Sequence, residues 1–578
     1  TAVEPQFADH VSQYGITWTF DKPYRVGQFV NGDWWVCPDT PEGTVVVVTI
    51  DPVPGVRNGS ELNPIPGKYQ GFDARLYDYD PSLTVRTPLA IIPCDRLVSA
   101  ISTNEDNPWG EPGLMEPAGA RTYLRTAAVL TCVPSPIGPD AFRPPYTWDV
   151  SAYGPPPIYR IGQLPALAEL PQLAAPNPSD IPDPARHARY FERLWLDHKY
   201  AWTGREMHPA QNMPNYGREI ARASGTALLL VSLHNVASDQ RQLLLIRLVQ
   251  TGLDLYGIAK WNRSPQAPYF HKRIWLHGGG HGLGRKVLIQ FAGKMLDDPQ
   301  IYGMNDYLNS EDSNCYFGHY QNPPVTSWTN WHTSGHPFAQ NVLWGMWKDR
   351  EHPADMANHH EVHPQYWKDP PFPVQNHWPF GKLEGYNILC ARAYPAQALA
   401  ALIFDLRENW QYSNPLSSTQ GIGGPAFFAY VDRWMYEDYF AVQEEMAYWA
   451  WQHDWDELEP LALVHAGTAR AGSASTITLS VDASATNNAY NAAHRIKITG
   501  GTGAGQRRRI VAYTGAARVL EVDLPWDVVP DNTSQYEIRY TYSNPVLRIT
   551  VESQKCYEEH WSSHFVFDMW HMYRSRFE

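Results

Sequence analysis

The sequence predicts a multidomain α+β protein in which a central (α/α) toroid, an incomplete barrel of helices, is flanked by β-sandwich-like modules. Three observations support this prediction. The chain has 578 residues, which is too long for one ordinary hydrophobic core. Residues 187–464 carry paired amphipathic helical patterns, which are typical of helices that wrap a cleft. Strand-like patterns precede and follow this helical part.

Residues 1–155 are predicted to form the N-terminal β-sandwich-like domain. The run TVVVVTI, from Thr44 to Ile50, has the pattern of a buried strand, and turn residues around Gly32 precede it. Residues 156–186 are rich in proline and alanine, which indicates a semi-rigid linker.

Helices dominate the predicted catalytic domain at 187–464. One begins at Gly217, and another begins at Ser238, which we expect to be its N-cap. The short gap between these two helices predicts an αα-hairpin. Further helices are expected at 283–296, 395–408 and 425–450.

A β accessory module is predicted at 465–545, where TITLSV (476–481) and RRIVAY (508–513) alternate as strands do. The run GGTGAG at 500–505 lacks the GK[ST] ending of a phosphate-binding loop, so we interpret it as a hairpin turn. Residues 546–578 are expected to form a C-terminal helix that returns to the toroid.

Composition limits the partners. The chain carries 23 Trp, 33 Tyr and 19 Phe, which fits either a bulky core or a protein that stacks sugar rings. A net charge of −14 argues against nucleic acid, whereas an anionic polysaccharide stays possible because local charge can oppose the net charge. The six cysteines include no CxxC pair, and no apolar run is long enough to span a membrane.

The chain starts at Thr1 without a signal peptide. Either a processed secreted protein or a trimmed chain fits this start, and we expect a secreted or periplasmic location.

The glycine-rich segment WLHGGGHGLGRK runs from Trp275 to Lys286 and precedes a helical pattern. Glycine lets the backbone approach a ligand closely, and a helix N-terminus attracts anions. We therefore interpret His281, Arg285 and Lys286 as a base and two anion-binding cations, with His277 beside them. A plain glycine-rich turn is the structural alternative. The two histidines are spaced for zinc, but the glycines between them disfavour a regular helix.

Other polar groups also come before predicted helices. The run NMPNYGR places Asn212, Asn215, Tyr216 and Arg218 around one helix start, with His208 just before them. Because helix ends collect on one rim of a toroid, we expect these groups to share a cleft.

Two further groups are expected to line that cleft. Tyr386 and Arg392 precede the helix that starts near Pro395. A long aromatic stretch contributes Tyr316, His319 and Trp331.

These motifs resemble those of the (α/α)-toroid polysaccharide lyases, the alginate-lyase and heparinase-II/III-like group. The resemblance covers about half of the chain. It lies in HPAQNMPNYGR (208–218), GGGHGLGRK (278–286), LNSEDSNCYFGHY (308–320), EGYNILCARAY (384–394) and FFAYVDRWM (427–435). The run GTGAGQRRR (501–509) resembles modules of phage and cell-surface proteins, which implies an accessory role.

The resemblance implies β-elimination of a uronate-containing polysaccharide such as alginate. We predict Tyr216 and His281 as the proton-transfer pair, because a tyrosine near cations can act as base and then as acid. Arg218 and Arg285, with Asn212 or Asn215, would neutralise the uronate carboxylate. The expected substrate-binding residues are His208, His277, Lys286, Tyr316, His319, Trp331, Tyr386 and Arg392.

Two alternatives stay open. A glycoside hydrolase would need two carboxylates, and Glu206, Glu311, Asp312 and Glu384 are available. A non-catalytic glycan-binding or phage-type attachment protein would also fit the aromatic residues. No cofactor is expected. The stretch HHEVH at 359–363 is not HExxH, although a structural metal within 319–377 remains possible.

Overall fold

The computed structural model describes thirteen segments of the chain. They are 6–104, 122–213, 217–265, 274–275, 282–304, 315–317, 342–344, 393–410, 424–436, 463–491, 494–523, 525–540 and 564–577. The chain divides into two compact units. The first comprises 1–374, 382–431 and 577–578, and the second comprises 375–381 and 432–576.

The first unit contains one eight-stranded sheet, in the order β5-β7-β8-β3-β2-β4-β6 with β1 paired to β2. Its strands are β1 (Gln6–Gln13), β2 (Ile16–Gln28), β3 (Trp34–Cys37), β4 (Val45–Asp51), β5 (Ser60–Leu62), β6 (Leu89–Ile91), β7 (Arg96–Ser102) and β8 (Leu124–Cys132). Only the β3–β8 pair is parallel.

The long strand β2 explains why this sheet curls into a half-barrel. Its first half pairs with β4 and its second half pairs with β3, while β1 follows the other edge of β2. Ile16, Trp18 and Phe20 alternate inward and are buried in a core that the one sheet wraps. The expected β-sandwich-like layering is therefore wrong, because the sheet folds over its own core.

Helices follow in the first unit. They are α1 (Val150–Tyr153), α2 (Pro184–Tyr190), α3 (Ala201–Met207), α4 (Gly217–Val231), α5 (Ser238–Trp261), α6 (Arg285–Met295), α7 (Pro299–Tyr302), α8 (Tyr394–Ile403) and α9 (Gly424–Tyr436). A small antiparallel pair, β9 (Cys315–Phe317) and β10 (Val342–Trp344), lies between α7 and α8. The unit boundary falls within α9. Ser238 is the first residue of α5 and not its N-cap, which is Ala237.

Close approaches at glycines hold the helices together. A Cβ at Gly252 of α5 would lie 2.4 Å from the backbone oxygen of Leu288 in α6. A Cβ at Gly225 of α4 would lie 2.5 Å from the Ala396 backbone in α8. Because any larger side chain would push these helices apart, both glycines set the packing distance.

The predicted toroid is wrong. Helices account for 28% of the residues, and those that the structure describes form no ring. Helix α5 is buried on all sides from Val249 to Ala259, and α2, α4 and α6 pack around it. A helix in a toroid wall would expose one face or line a cleft. The amphipathic patterns predicted individual helices, but their packing around a buried centre is decided by tertiary contacts. The architecture is mixed α+β.

A buried arginine joins the sheet to α5. Arg143 Nε donates to Asp33 Oδ2 at 2.5 Å, and its two terminal nitrogens donate to the Asp254 carboxylate at 2.9 and 2.5 Å. All three side chains are at most 5% exposed. Asp33 lies just before β3 and Asp254 lies within α5, so the pair of contacts fixes the two layers to each other.

The second unit contains a seven-stranded antiparallel sheet in the order β11-β17-β14-β15-β16-β13-β12. Its elements are β11 (Leu463–Thr468), β12 (Ala471–Ser473), β13 (Thr476–Thr478), β14 (His494–Gly500), β15 (Arg507–Thr514), β16 (Val519–Val522), β17 (Gln535–Tyr540) and the helix α10 (His564–Tyr573). The GGTGAG run connects β14 to β15, which confirms the predicted hairpin turn.

The two ends of this sheet come together at a polar network. Strands β11 and β12 are the two edges of the sheet, and only residues 469–470 connect them. There Tyr536 Oη lies 3.0 Å from His465 Nε2, 2.9 Å from Ser480 Oγ and 3.0 Å from the Ser480 backbone nitrogen. The network thus links β11, β17 and the end of β13 through side chains.

Within the described ranges, every helix is too short or too polar to span a lipid bilayer.

Replacing Arg143 with methionine should lower the free energy of unfolding by about 3–5 kcal/mol, because two buried carboxylates lose their counter-charge. The measurement is the denaturant midpoint of the full chain. Arg160→Met is the matched control, because Arg160 and Asp140 form a half-exposed pair at 2.6 Å. That control should change stability by less than about 1 kcal/mol. Equal losses in the two variants would contradict the anchoring role of Arg143.

Tyr536→Phe should weaken the closure of the second sheet by about 1 kcal/mol or more, because the Ser480 N–H loses its acceptor in a partly buried site. Hydrogen exchange of the β11 and β17 amides in the full chain measures this loss. Tyr513→Phe removes a single hydrogen bond, to Ser484 O at 2.6 Å, and should have a smaller effect. Unchanged exchange at β11 in Tyr536→Phe would contradict the prediction.

Candidate active site

The structure describes some of the predicted site residues. The described ones are His208, Asn212, Arg218, Arg285 and Lys286, together with the backbone of Tyr316 in β9. Those outside the described residues are Asn215, Tyr216, His277, His281, His319, Trp331, Tyr386 and Arg392. The hydrolase candidates Glu311, Asp312 and Glu384 and the histidines 359, 360 and 363 also lie outside them. Their roles stay predictions.

Two of the described site residues, His208 and Arg285, bind Asp197, a buried carboxylate in the segment between α2 and α3. Arg285, the first residue of α6, donates from Nε to Oδ2 at 2.8 Å and from Nη2 to Oδ1 at 3.0 Å. Both side chains are at most 4% exposed. Burial alone would raise the pKa of Asp197, but the charge of Arg285 and the hydrogen bonds from His208 and Arg285 lower it to about 2. Asp197 is therefore a permanent anion at neutral pH.

His208 is the second partner of this anion. Its Nε2 lies 3.0 Å from Asp197 Oδ1, and since the carboxylate can only accept, the Nε2–H donates. Burial lowers the pKa of His208 below 6.5, so the ring is neutral at pH 7 and Nδ1 carries a lone pair. Nδ1 is buried and has no hydrogen-bond partner among the described residues. The Thr122 hydroxyl donates to the His208 backbone oxygen and fixes the segment.

Asp197 also binds Trp275, the first residue of the glycine-rich segment. Trp275 Nε1 donates to the Asp197 backbone oxygen at 3.0 Å. The chain of 276–281 lies outside the described residues, but Trp275 on one side and Arg285 on the other both bind Asp197. One residue therefore fixes both flanks of the most glycine-rich motif in the chain.

The starts of α4 and α6 meet at Gly284. Its φ is +87°, and a Cβ there would lie 2.5 Å from the Ala221 backbone nitrogen in the first turn of α4. Only glycine combines this backbone conformation with such an approach. The structure thus brings together the two helices that follow the motifs NMPNYGR and GGGHGLGRK, of which 214–216 and 276–281 lie outside the described residues.

Arg218 is the more exposed arginine at this junction. It lies in the first turn of α4, its side chain is 18% exposed, and its Nε donates to Glu219 Oε1 at 2.6 Å. By contrast, the fork of Arg285 is already occupied by Asp197. Arg218 is therefore the less buried of the two guanidinium groups.

Asn212 and Lys286 are both buried. The Asn212 amide nitrogen donates to Tyr190 O at 3.3 Å and to Arg193 O at 3.2 Å. Its Oδ1 is left without a hydrogen-bond partner among the described residues. Lys286 is 2% exposed, and its ammonium group lies 5.0 Å from the centroid of the Trp410 ring. Asn212 thus has an acceptor atom, Oδ1, and the ammonium group of Lys286 lies over the face of the Trp410 ring.

The sequence analysis missed Asp197 itself. It stands in LWLDHKY (194–200), where three consecutive ionisable residues occur within an apolar and aromatic run. All three are buried, and each has a different partner. His198 Nδ1 lies 3.1 Å from Tyr146 Oη, and Lys199 Nζ lies 3.6 Å from Glu61 Oε2. An acidic residue inside such a run was the available signal, because a buried charge requires a partner.

Across the described segments, His, Cys, Asp and Glu side chains nowhere form a group of three suited to a metal ion. The arrangement combines a neutral imidazole oriented by a carboxylate with a junction of helix starts that carries a partly buried guanidinium. Acid–base sites use residue types of this kind. No protein-family model matches the chain, and no curated protein or solved structure matches it either.

His208 should make stability depend on pH. Its pKa is lowered by folding, so the unfolded chain binds more protons below pH 6.5 and stability falls as the pH decreases from there. A single such group contributes up to about 1.4 kcal/mol per pH unit. His208→Gln, which keeps a donor for Asp197, should therefore flatten the slope of unfolding free energy between about pH 7 and about pH 5.

The readout is the slope of the pH dependence. His198, His465 and His494, whose pKa values are also lowered by burial, remain in the variant and contribute to the residual slope. A curve for His208→Gln that is displaced but parallel to that of the wild type would show that His208 binds protons equally in the folded and unfolded states, which would contradict its lowered pKa.

Proposed function

We propose that the chain is a polysaccharide lyase that cleaves an anionic, uronate-containing polysaccharide such as alginate by β-elimination. The observation that carries the proposal is the Asp197–His208 pair beside the junction of α4 and α6, with Arg218 within the same helix start. Elimination requires a neutralised carboxylate, a base for the neighbouring C–H proton, and an acid for the departing oxygen. The residue types at this junction suit all three tasks.

Arg218 is the group that we propose for carboxylate neutralisation. It lies in the first turn of α4 and its side chain is partly exposed, and the planar guanidinium group of an arginine suits bidentate contact with a carboxylate. Asn215 is the better amide partner, because the Asn212 amide nitrogen already donates to two backbone oxygens. Arg285 is proposed to have a positioning role, because it joins the Asp197 carboxylate to the first residue of α6.

Tyr216 and His281 are the proposed proton-transfer pair. Tyr216 directly precedes Gly217, the first residue of α4, and His281 precedes the turn that leads to Arg285. His208 is proposed to accept a hydrogen bond at Nδ1 from a hydroxyl at the site. This role needs the neutral ring, because an imidazolium can only donate.

The elimination requires no cofactor, and export is the expected route of a protein that meets such polymers outside the cell. The second unit is proposed as an accessory module. The absence of a cofactor, the export and the accessory role are all proposed because of the lyase activity, and they are given up if that activity is not found.

The test is the ultraviolet absorbance of the unsaturated product during incubation with alginate, glucuronan, ulvan and glycosaminoglycans. We expect a rise with at least one polymer. Tyr216→Phe should lower kcat by roughly a hundredfold or more, because the proton donor is lost. Tyr302→Phe is the control, since Tyr302 Oη donates to Asp405 O away from the junction.

New reducing ends without a double bond would overturn the proposal in favour of a hydrolase, for which Glu206 is the described carboxylate. Neither product with any polymer would favour a binding protein. Full activity in Tyr216→Phe would overturn the assignment of Tyr216.

A further inference from the structure

The exposed tyrosines of the described chain lie together. Tyr69, Tyr77 and Tyr200 are 53%, 60% and 36% exposed, and they are the most exposed tyrosines among those whose side-chain burial is described. Tyrosine is amphipathic, and an exposed cluster of aromatic rings marks an interaction surface more strongly than scattered single residues do. We call these three residues the tyrosine patch.

Hydrogen bonds bring the three segments of the tyrosine patch side by side. The Gln70 N–H donates to Asp78 O at 3.0 Å, which joins the segment of Tyr69 to that of Tyr77. The Tyr200 N–H donates to Gly67 O at 3.0 Å. The Thr203 hydroxyl donates to Asp78 Oδ2 at 3.2 Å. The patch is therefore one surface built from three segments.

The tyrosine patch is continuous with the segment that carries Asp197. The Gly67 N–H donates to His198 O at 3.0 Å, and Lys199 Nζ donates to Ile65 O at 3.0 Å. His198, Lys199 and Tyr200 follow Asp197 directly in the chain. Asp197, His198 and Lys199 are buried and Tyr200 is exposed, so the patch reaches the surface three residues after Asp197.

The charges within the tyrosine patch cancel. Lys68 Nζ lies 3.3 Å from Asp78 Oδ1 and 5.5 Å from the centroid of the Tyr69 ring. A polyanion gains little attraction from such a pair, so ring faces and hydroxyl groups determine what binds. The apolar faces of pyranose rings stack on tyrosine rings, and sugar hydroxyls can hydrogen-bond the phenol groups.

We propose that the tyrosine patch is a glycan-binding subsite that stacks sugar rings of a polysaccharide chain extending from the candidate active site. The inference rests on the proposed function for the identity of the polymer, which is the substrate itself. Stacking accounts for the binding, so affinity at the patch depends on the rings and changes little with salt.

The experiment is affinity electrophoresis of the full chain in gels that contain alginate or glucuronan, at low and high NaCl. The double variant Tyr69→Ala/Tyr77→Ala should bind about tenfold more weakly, since each stacked ring contributes roughly a three- to tenfold gain in affinity. Phe7→Ala is the matched control, because Phe7 is 63% exposed on β1, outside the patch, and should leave binding unchanged.

The outcomes separate the two proposals. Elimination with an unchanged KM in the double variant would overturn the subsite and leave the lyase proposal standing. Weaker binding by the double variant, with no elimination from any polymer, would support the subsite and overturn the lyase. Failure of the wild type to bind either polymer would overturn the subsite. A patch-dependent dimer in light scattering would overturn it too, because a second copy would then cover the rings.

Discussion

The candidate site depends on the need to neutralise the buried carboxylate of Asp197. A carboxylate at 2% exposure is stable only with counter-charge and hydrogen bonds. Arg285 supplies both, His208 supplies one more hydrogen bond, and Trp275 binds the backbone of the same residue. These partners come from three separate segments of the chain. The positions of the α6 start and of His208 therefore follow from one electrostatic requirement, and the Trp275 hydrogen bond holds the other end of the glycine-rich segment to the same residue.

The same requirement recurs at Arg143, with Asp33 and Asp254, where the half-barrel sheet meets α5. A buried ion pair contributes little net stability compared with apolar packing, but removing one partner is costly. Such pairs therefore favour one arrangement of the layers over alternatives. Lys199 and Glu61 form a weaker buried ion pair, with Lys199 Nζ 3.6 Å from Glu61 Oε2. Burial raises the pKa of Glu61 and lowers the pKa of Lys199.

Local patterns in the sequence predicted local structure, and they could not predict packing. The helices that begin at Gly217 and Ser238 and the turn at 500–505 follow from apolar periodicity and glycine content. The toroid was wrong because periodicity shows which face of a helix is apolar but not what covers it. Helix α5 is buried on all sides from Val249 to Ala259, so other helices pack around it and it does not form part of a ring. Asp197 was missed for a related reason, since its partners lie at positions 208 and 285 and no local pattern connects them.

Charge poses a particular problem for the proposed substrate. The chain has a net charge of −14, and a polyanion is repelled unless local cations or uncharged contacts compensate. Arg285 is matched by Asp197, and Lys286 is buried against Trp410, so neither offers its charge freely to a ligand. Arg218 is the cation that the proposed activity assigns to the uronate at the reacting unit. Ring stacking does not depend on the sign of the charge, and a tyrosine surface with a cancelled Lys68–Asp78 pair is therefore a physically suitable way for an acidic protein to hold the rest of an acidic chain.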